Sequence, residues 1–204
     1  MKKIFLCVLA VMMAVRVCAL ELEQIKPQLS KDLNTALEIL ARNASIEQKS
    51  NELFKLFDVY FDYKLMSALA LGKIYKSLDN AQKAQFQEKF KERLKFSLSE
   101  KLSFYTDEKI TITGDERPNE KRYFLHTQIT SQNGEAYKLS FKFHRNGQND
   151  YLVYDVDILG VSLIQTYKAQ FEDLGLRADF NTILSRLNAM NELDKKEPKP
   201  TNNK

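Results

Sequence analysis

At 204 residues, 44% hydrophobic and 28% charged, with six Gly and four Pro, the chain has the make-up of one ordinary globular domain, not of a fibrous or low-complexity protein. A domain of this size buries roughly 70% of the surface of its unfolded chain, which is enough for a core and a cavity. The balance of 31 basic against 27 acidic residues is too even for a nucleic-acid footprint, and two His and two Cys leave little for elaborate metal chemistry.

Residues 1–19 read as a cleaved export signal. Lys2 and Lys3 precede a 12-residue apolar stretch, Ile4 to Val15, that is too short to span a bilayer comfortably. Val17-Cys18-Ala19 places small residues at a cleavage site near Ala19. An uncleaved anchor is the alternative, and a lipoprotein is disfavoured because Val17, not a smaller residue, precedes Cys18. Without this segment 185 residues remain, with 28 basic against 27 acidic, and both cysteines, Cys7 and Cys18, are gone. Such a chain holds its fold by packing alone and has no thiol nucleophile.

The first half of the remaining chain is helical. Leu29, Leu33, Ala36, Leu37 and Leu40 predict an amphipathic helix over 28–43. Ser45 to Gln48 has the capping-box form and starts a second, with Leu53, Leu56 and Phe57 on its apolar side. Asp62 caps a third that ends at Leu71 against Gly72. Asp79 with Gln82 opens a fourth, where Phe86, Phe90, Leu94, Leu98 and Leu102 recur four apart, a period that drifts slowly round the helix.

The period then switches to two. Lys109–Thr113 is a short strand. Tyr123, Leu125, Thr127 and Ile129 alternate with polar residues, as do Tyr137, Leu139, Phe141 and Phe143, and Leu152, Tyr154, Val156 and Ile158 form a last apolar row. One apolar and one polar face per strand indicates an antiparallel sheet. A three-residue loop, Gln132-Asn133-Gly134, sets Leu125 opposite Phe141 and Ile129 opposite Tyr137 and places Gly134 in the left-handed position; a two-residue turn would mix the faces. The connection around Asn146-Gly147 is a longer hairpin of unassigned type. A helix follows Gly160, with Leu163, Ile164, Tyr167, Phe171 and Leu174 on one side. Asp179 caps another, with Phe180, Ile183, Leu184, Leu187 and Met190 inward. From Glu192 onward the composition predicts a disordered polar tail, 192–204, so 20–191 is a single domain. The fold class is α+β: a twisted four-stranded antiparallel sheet with about six helices packed on one face.

Catalytic signatures are scarce. No GxSxG, HExxH, Walker-type or GxGxxG motif occurs. His126 and His144 fall on polar strand faces and read as solvated. Asp155 and Asp157 share a face, but without burial to split their pKa values they read as a solvated edge or a structural contact. The alternating charges from Lys83 to Lys95 read as a solvated helix face. No catalytic and no metal-binding residue is assigned, and the chain is not read as an enzyme.

Two stretches carry a family resemblance. The first is Phe61-Asp62-Tyr63-Lys64-Leu65-Met66 through Ala70-Leu71-Gly72-Lys73-Ile74-Tyr75, followed by Gln82-Lys83 and the Phe86, Phe90, Leu94 ladder. The second is Tyr154-Asp155-Val156 leading to Gly160-Val161-Ser162-Leu163-Ile164, then Tyr167-Lys168 and Gln170-Phe171. Together, over roughly residues 28–190, they resemble the MlaC-type periplasmic phospholipid-binding proteins, also called the toluene-tolerance auxiliary family. The sequence departs where the family usually has an acid (Leu159), an Arg (Lys168) and often a Trp (Tyr75).

The resemblance implies a monomeric periplasmic carrier. It would shuttle a diacyl phospholipid between an outer-membrane lipoprotein–porin complex and the docking subunit of an inner-membrane ABC transporter, and so maintain outer-membrane lipid asymmetry. Phospholipid would be its ligand, with no cofactor and no nucleic-acid partner. An apolar cavity between sheet and helices is expected to be lined by Phe61, Leu65, Leu69, Phe90, Leu94, Tyr123, Leu125, Ile129, Leu139, Phe141, Phe143, Val156, Ile164 and Tyr167. No charged cluster in the sequence stands out as a head-group clamp, so weak head-group selectivity is expected. The alternatives on a similar cone-shaped fold are a small-molecule enzyme and a ligand-free adaptor.

Overall fold

The computed structural model describes residues 20–102 and 108–194, so the expected export signal, both cysteines and the tail beyond Asp194 lie outside the described residues. Among them the elements run α1 (Leu22–Ala41), α2 (Ile46–Phe57), α3 (Tyr63–Leu71), α4 (Asn80–Leu102), β1 (Lys109–Asn119), β2 (Arg122–Thr130), β3 (Ala136–Arg145), β4 (Tyr151–Ile158), β5 (Val161–Ser162), α5 (Leu163–Phe171) and α6 (Phe180–Asp194). The strands form one antiparallel sheet in the order β1-β2-β3-β4-β5. The fold is therefore α+β with six helices among the described residues. The two-residue β5 brings the expected four strands to five.

Helix starts follow the caps. The Ser45 hydroxyl accepts from the Gln48 amide at 3.2 Å, and the Gln48 side chain accepts from the Ser45 amide at 3.1 Å. Asp79 and Gln82 make the same reciprocal pair at 2.8 and 3.0 Å. Asp62 accepts from the Leu65 amide at 2.8 Å, and α3 ends at Gly72, whose φ of +56° is the left-handed conformation glycine takes without strain. α1 begins at Leu22, six residues before the expected start. A Glu21–Gln24 capping box precedes it, and Pro27 is carried inside the helix at the loss of one donor. The last helix continues through Glu192 to Asp194, where a tail was expected.

The sheet register is the expected one between β2 and β3, with Leu125 opposite Phe141 and Ile129 opposite Tyr137, and Gly134 at φ +85°. The β3–β4 connection repeats the same loop. The Asn146 amide donates to the Asp150 carbonyl at 2.8 Å, as Ser131 does to Glu135 at 2.9 Å, and Asn149 at φ +70° takes the place of Gly134. Two strands differ from expectation. β1 runs on to Asn119, because a bulge between Ile112 and Gly114 lets pairing continue. In β4, Lys142 faces Asp155 while Phe143 faces Val153, so Tyr154 is an extra residue. One extra residue flips the alternation. The buried row is thus Tyr151, Val153 and Val156; Leu152 and Tyr154 are only half-buried, and Ile158 is exposed.

β4 and β5 are joined by Leu159-Gly160, both at positive φ (+56° and +81°), as in a type I′ hairpin turn. Leu159 is 60% exposed, so no burial offsets a leucine in a conformation that costs about 1–2 kcal/mol. Leu159→Asn is expected to stabilise the fold by about 1 kcal/mol, read as a higher urea midpoint at unchanged slope. An unchanged or lower midpoint would mean that the leucine makes a compensating contact.

The apolar side chains fall into three clusters. A helical core joins α3, α4, α5 and α6 through Met66, Phe86, Phe90, Leu94, Ile164, Tyr167, Phe171, Ile183 and Leu187. A sheet core joins α1 to the buried face of β2, β3 and β4 through Ile25, Leu29, Leu33, Tyr123, Leu125, Phe141, Phe143 and Val153. A small cluster fixes α2 on α1 through Ala36, Ile39, Leu40 and Leu53.

Candidate functional site

The expected lining residues divide between the two large cores. Phe90, Leu94, Ile164 and Tyr167 lie in the helical core, where Phe90 and Tyr167 meet edge-on with centroids 5.0 Å apart. Tyr123, Leu125, Phe141, Phe143 and Val156 lie in the sheet core, with Leu139 half-buried against it. Phe61 packs against both. Leu69 is half-buried against the helical core, Leu65 is half-buried on α3, and Ile129 is half-buried between Ile110 and Tyr137 towards the far end of the sheet. Two polar groups on the buried sheet face have partners. The Thr127 hydroxyl donates to the Leu139 carbonyl at 2.9 Å. Burial, together with the charge and hydrogen bond of Asp115, pushes the Tyr123 phenol up to about 12.

The seam between the cores is held by polar contacts on β4. Asp155 is 4% exposed, not solvated. One oxygen accepts from the Val156 amide at 2.9 Å and the Ile164 amide at 3.0 Å; the other accepts from the Ser162 hydroxyl at 2.7 Å and from Lys142 at 3.4 Å. The carboxylate therefore ties β4 to the first turn of α5. Lys142 also donates to Asp157 at 2.8 Å. Burial alone would lower Lys142, but Asp157 and Asp155 outweigh it and hold the ammonium above its ordinary value.

His144 is likewise partnered, with Nε2 2.8 Å from Asp62. His126 sits 2.8 Å from the Ser140 hydroxyl. The α4 charges are not all solvated either: Lys91 and Lys95 reach Asp58, which also accepts from Tyr63 at 2.7 Å, so α4 is tied to the turn before α3.

Burial alone would raise the Asp62 carboxyl. The His144 hydrogen bond, the Leu65 amide and the charges of His144 and Lys64 outweigh it and hold it below its ordinary value. Unfolded Asp62 therefore binds a proton more readily than folded Asp62. Its stabilisation is complete above the ordinary aspartate value of about 3.9 and is lost as the pH falls through the lower folded value. Asp62→Asn keeps a capping oxygen but removes this titration. Thermal denaturation against pH is expected to give a shallower loss of stability below about pH 4 than in the parent. Coincident acid limbs would contradict the coupling.

Clefts open on the surface of the described residues, and two of them concern the site. One of about 440 Å³ is lined by Glu21, Glu23, Arg117, Arg145 and Asp150 with little apolar surface. The other, of about 310 Å³, lies between α3 and α5 and the side of the sheet opposite the sheet core, and is lined by Ala68, Leu69, Gly72, Arg122, Tyr154, Asp155, Ile164, Gln165 and Lys168. Of the expected lining residues, it gathers Leu69 and Ile164. Sequence reasoning missed Arg122 and Tyr154 as cleft residues, because the extra residue in β4 that turns Tyr154 towards Arg122 leaves no mark in the hydropathy pattern. Among the described residues no group of three or more His, Cys, Asp or Glu is placed to hold a metal, and no helix is long and apolar enough to cross a membrane.

Comparison with known proteins adds two findings. The family described as MlaC protein matches residues 30–189. A phospholipid-binding protein from Ralstonia solanacearum, solved in complex with a phospholipid, has a similar fold, with a TM-score of 0.69 at 21% identity over 85% of this chain and 98% of that one. No curated protein sequence matches.

Proposed function

This chain belongs to the MlaC family, and on that premise we propose that it is a periplasmic phospholipid carrier rather than an enzyme. It would take up one diacyl phospholipid and move it between an outer-membrane lipoprotein–porin complex and an inner-membrane ABC transporter, in the service of outer-membrane lipid asymmetry. The observation that carries the proposal is the family match across most of the chain. The Ralstonia protein supports it, as a protein of the same fold solved with a phospholipid bound.

Two acyl chains present about thirty methylenes, and exposing them to water costs on the order of 20 kcal/mol. A carrier must cover them with apolar side chains. A cleft of about 310 Å³ stands at the small end of ligand pockets, which run from about 300 to 1,000 Å³. The tails therefore need α3 to draw back from the edge of β4, where Phe61 bridges to Val153 and packs against both cores, so that a lipid can pass round that edge to contact Phe61, Leu65 and Leu69, then Phe90, Leu94, Ile164 and Tyr167 on one side and the aromatic sheet rows on the other. Transfer between two apolar sites is nearly balanced, so direction comes from the partner complexes.

The test is transfer of a fluorescent phospholipid from donor to acceptor vesicles. The proposal predicts a rate proportional to protein concentration and lost in a folded Phe141→Asp variant. No transfer above the spontaneous rate by the parent chain would refute carriage. Unchanged transfer by the variant would refute the lining.

A further inference from the structure

We propose that the cleft between α3, α5, β2 and β4 is an anion subsite that holds the phosphate of the bound phospholipid between Arg122 and Lys168. This rests on the carrier reading above and assigns the polar end of the same ligand. Arg122 is stacked on Tyr154, its guanidinium carbon 4.2 Å from the ring centroid. Its Nη1 is buried and has no hydrogen-bond partner among the described residues. A buried N–H of a charged group without an acceptor is costly, and a fold tolerates it where a ligand supplies the acceptor.

Lys168 stands across the cleft, its Cε in van der Waals reach of Gly72 at the end of α3. The acid in the lining, Asp155, has both oxygens engaged by Val156, Ile164, Ser162 and Lys142. The other charged groups nearby are matched, Lys142 with Asp157 and His144 with Asp62. The uncommitted charge in the cleft is therefore positive. A guanidinium fork and a flexible ammonium together suit a phosphodiester.

The apolar remainder of the lining, Ala68, Leu69 and Ile164, suits the glycerol and the first methylenes beside a phosphate. The cleft has room for that group but not for two tails. It reads the phosphate and not the head-group alcohol, so selectivity among phospholipids stays weak while lipids without phosphate are rejected.

The test measures equilibrium uptake by the full chain from vesicles carrying either phosphatidylglycerol or diacylglycerol with the same acyl chains. The parent is expected to prefer the phospholipid by about tenfold or more. Arg122→Gln and Lys168→Gln should each reduce that preference, and the double variant should take up both lipids about equally. Lys168 is only half-buried, so its variant keeps the test alive if the Arg122 variant does not fold. A double variant that retains the full preference would overturn the subsite and leave carriage intact. Uptake of neither lipid by the parent would overturn the carrier reading itself. In that case, inorganic phosphate that raises the thermal midpoint of the parent but not of the double variant would assign the site to free phosphate and overturn the lipid source.

Discussion

Asp155→Ala is expected to cost about 3–5 kcal/mol, among the largest effects of any single polar substitution in this chain. The carboxylate accepts from two backbone amides, a hydroxyl and an ammonium while almost fully buried. Alanine leaves the Ile164 amide at the start of α5 without its acceptor and strips Lys142 of one of two partners. Each unsatisfied buried donor costs about 1–3 kcal/mol. Asp157→Ala is the control. It also removes a carboxylate from Lys142, but from a partly exposed pair, and is expected to cost about 1 kcal/mol or less. Urea denaturation of both variants makes the comparison. Equal costs would mean that Asp155 acts as a surface charge and not as the tie between β4 and α5.

Phe143→Ala should cost about as much, about 3–5 kcal/mol, and lower the melting temperature by roughly 10 °C. Phe143 is fully buried, faces Tyr123 on β2 with ring centroids 6.1 Å apart, and lies opposite Val153 just before the β4 bulge. Strands on both sides fix the backbone there, so the site cannot collapse and the cavity term stays large. Tyr137→Ala on the same strand is 39% exposed and is expected to move stability by about 0.5 kcal/mol or less. A Phe143 variant within about 1 kcal/mol of the parent would show that the sheet core contributes little to the fold.

Much of this architecture was legible in the residues, for local reasons. The caps at Ser45, Asp62 and Asp79 are satisfied within three residues, so composition alone announces them. The β2–β3 register followed from one constraint, that Leu125 and Phe141 share a face. The β4 row was misread because a single extra residue, Tyr154, changes the alternation without changing hydropathy. Asp155 fell correctly on a polar strand position, but the donors that bury it come from Ser162 and Ile164, seven and nine residues on. The candidate lining residues were recognised as apolar, yet periodicity assigns a residue to a face and not to a core, so it gave no sign that Phe90 and Phe143 belong to separate clusters. Arg122 and Lys168 are 46 positions apart in the numbering, and only the fold places them on one cleft.

Phospholipid in the apolar interior of this chain is what carriage requires, and native mass spectrometry after detergent-free purification from a membrane-containing host measures it directly. One added mass per chain, matching a diacyl phospholipid, is the predicted result. A bare chain mass that takes up no lipid from added liposomes would contradict it and leave two filled cores with no cargo.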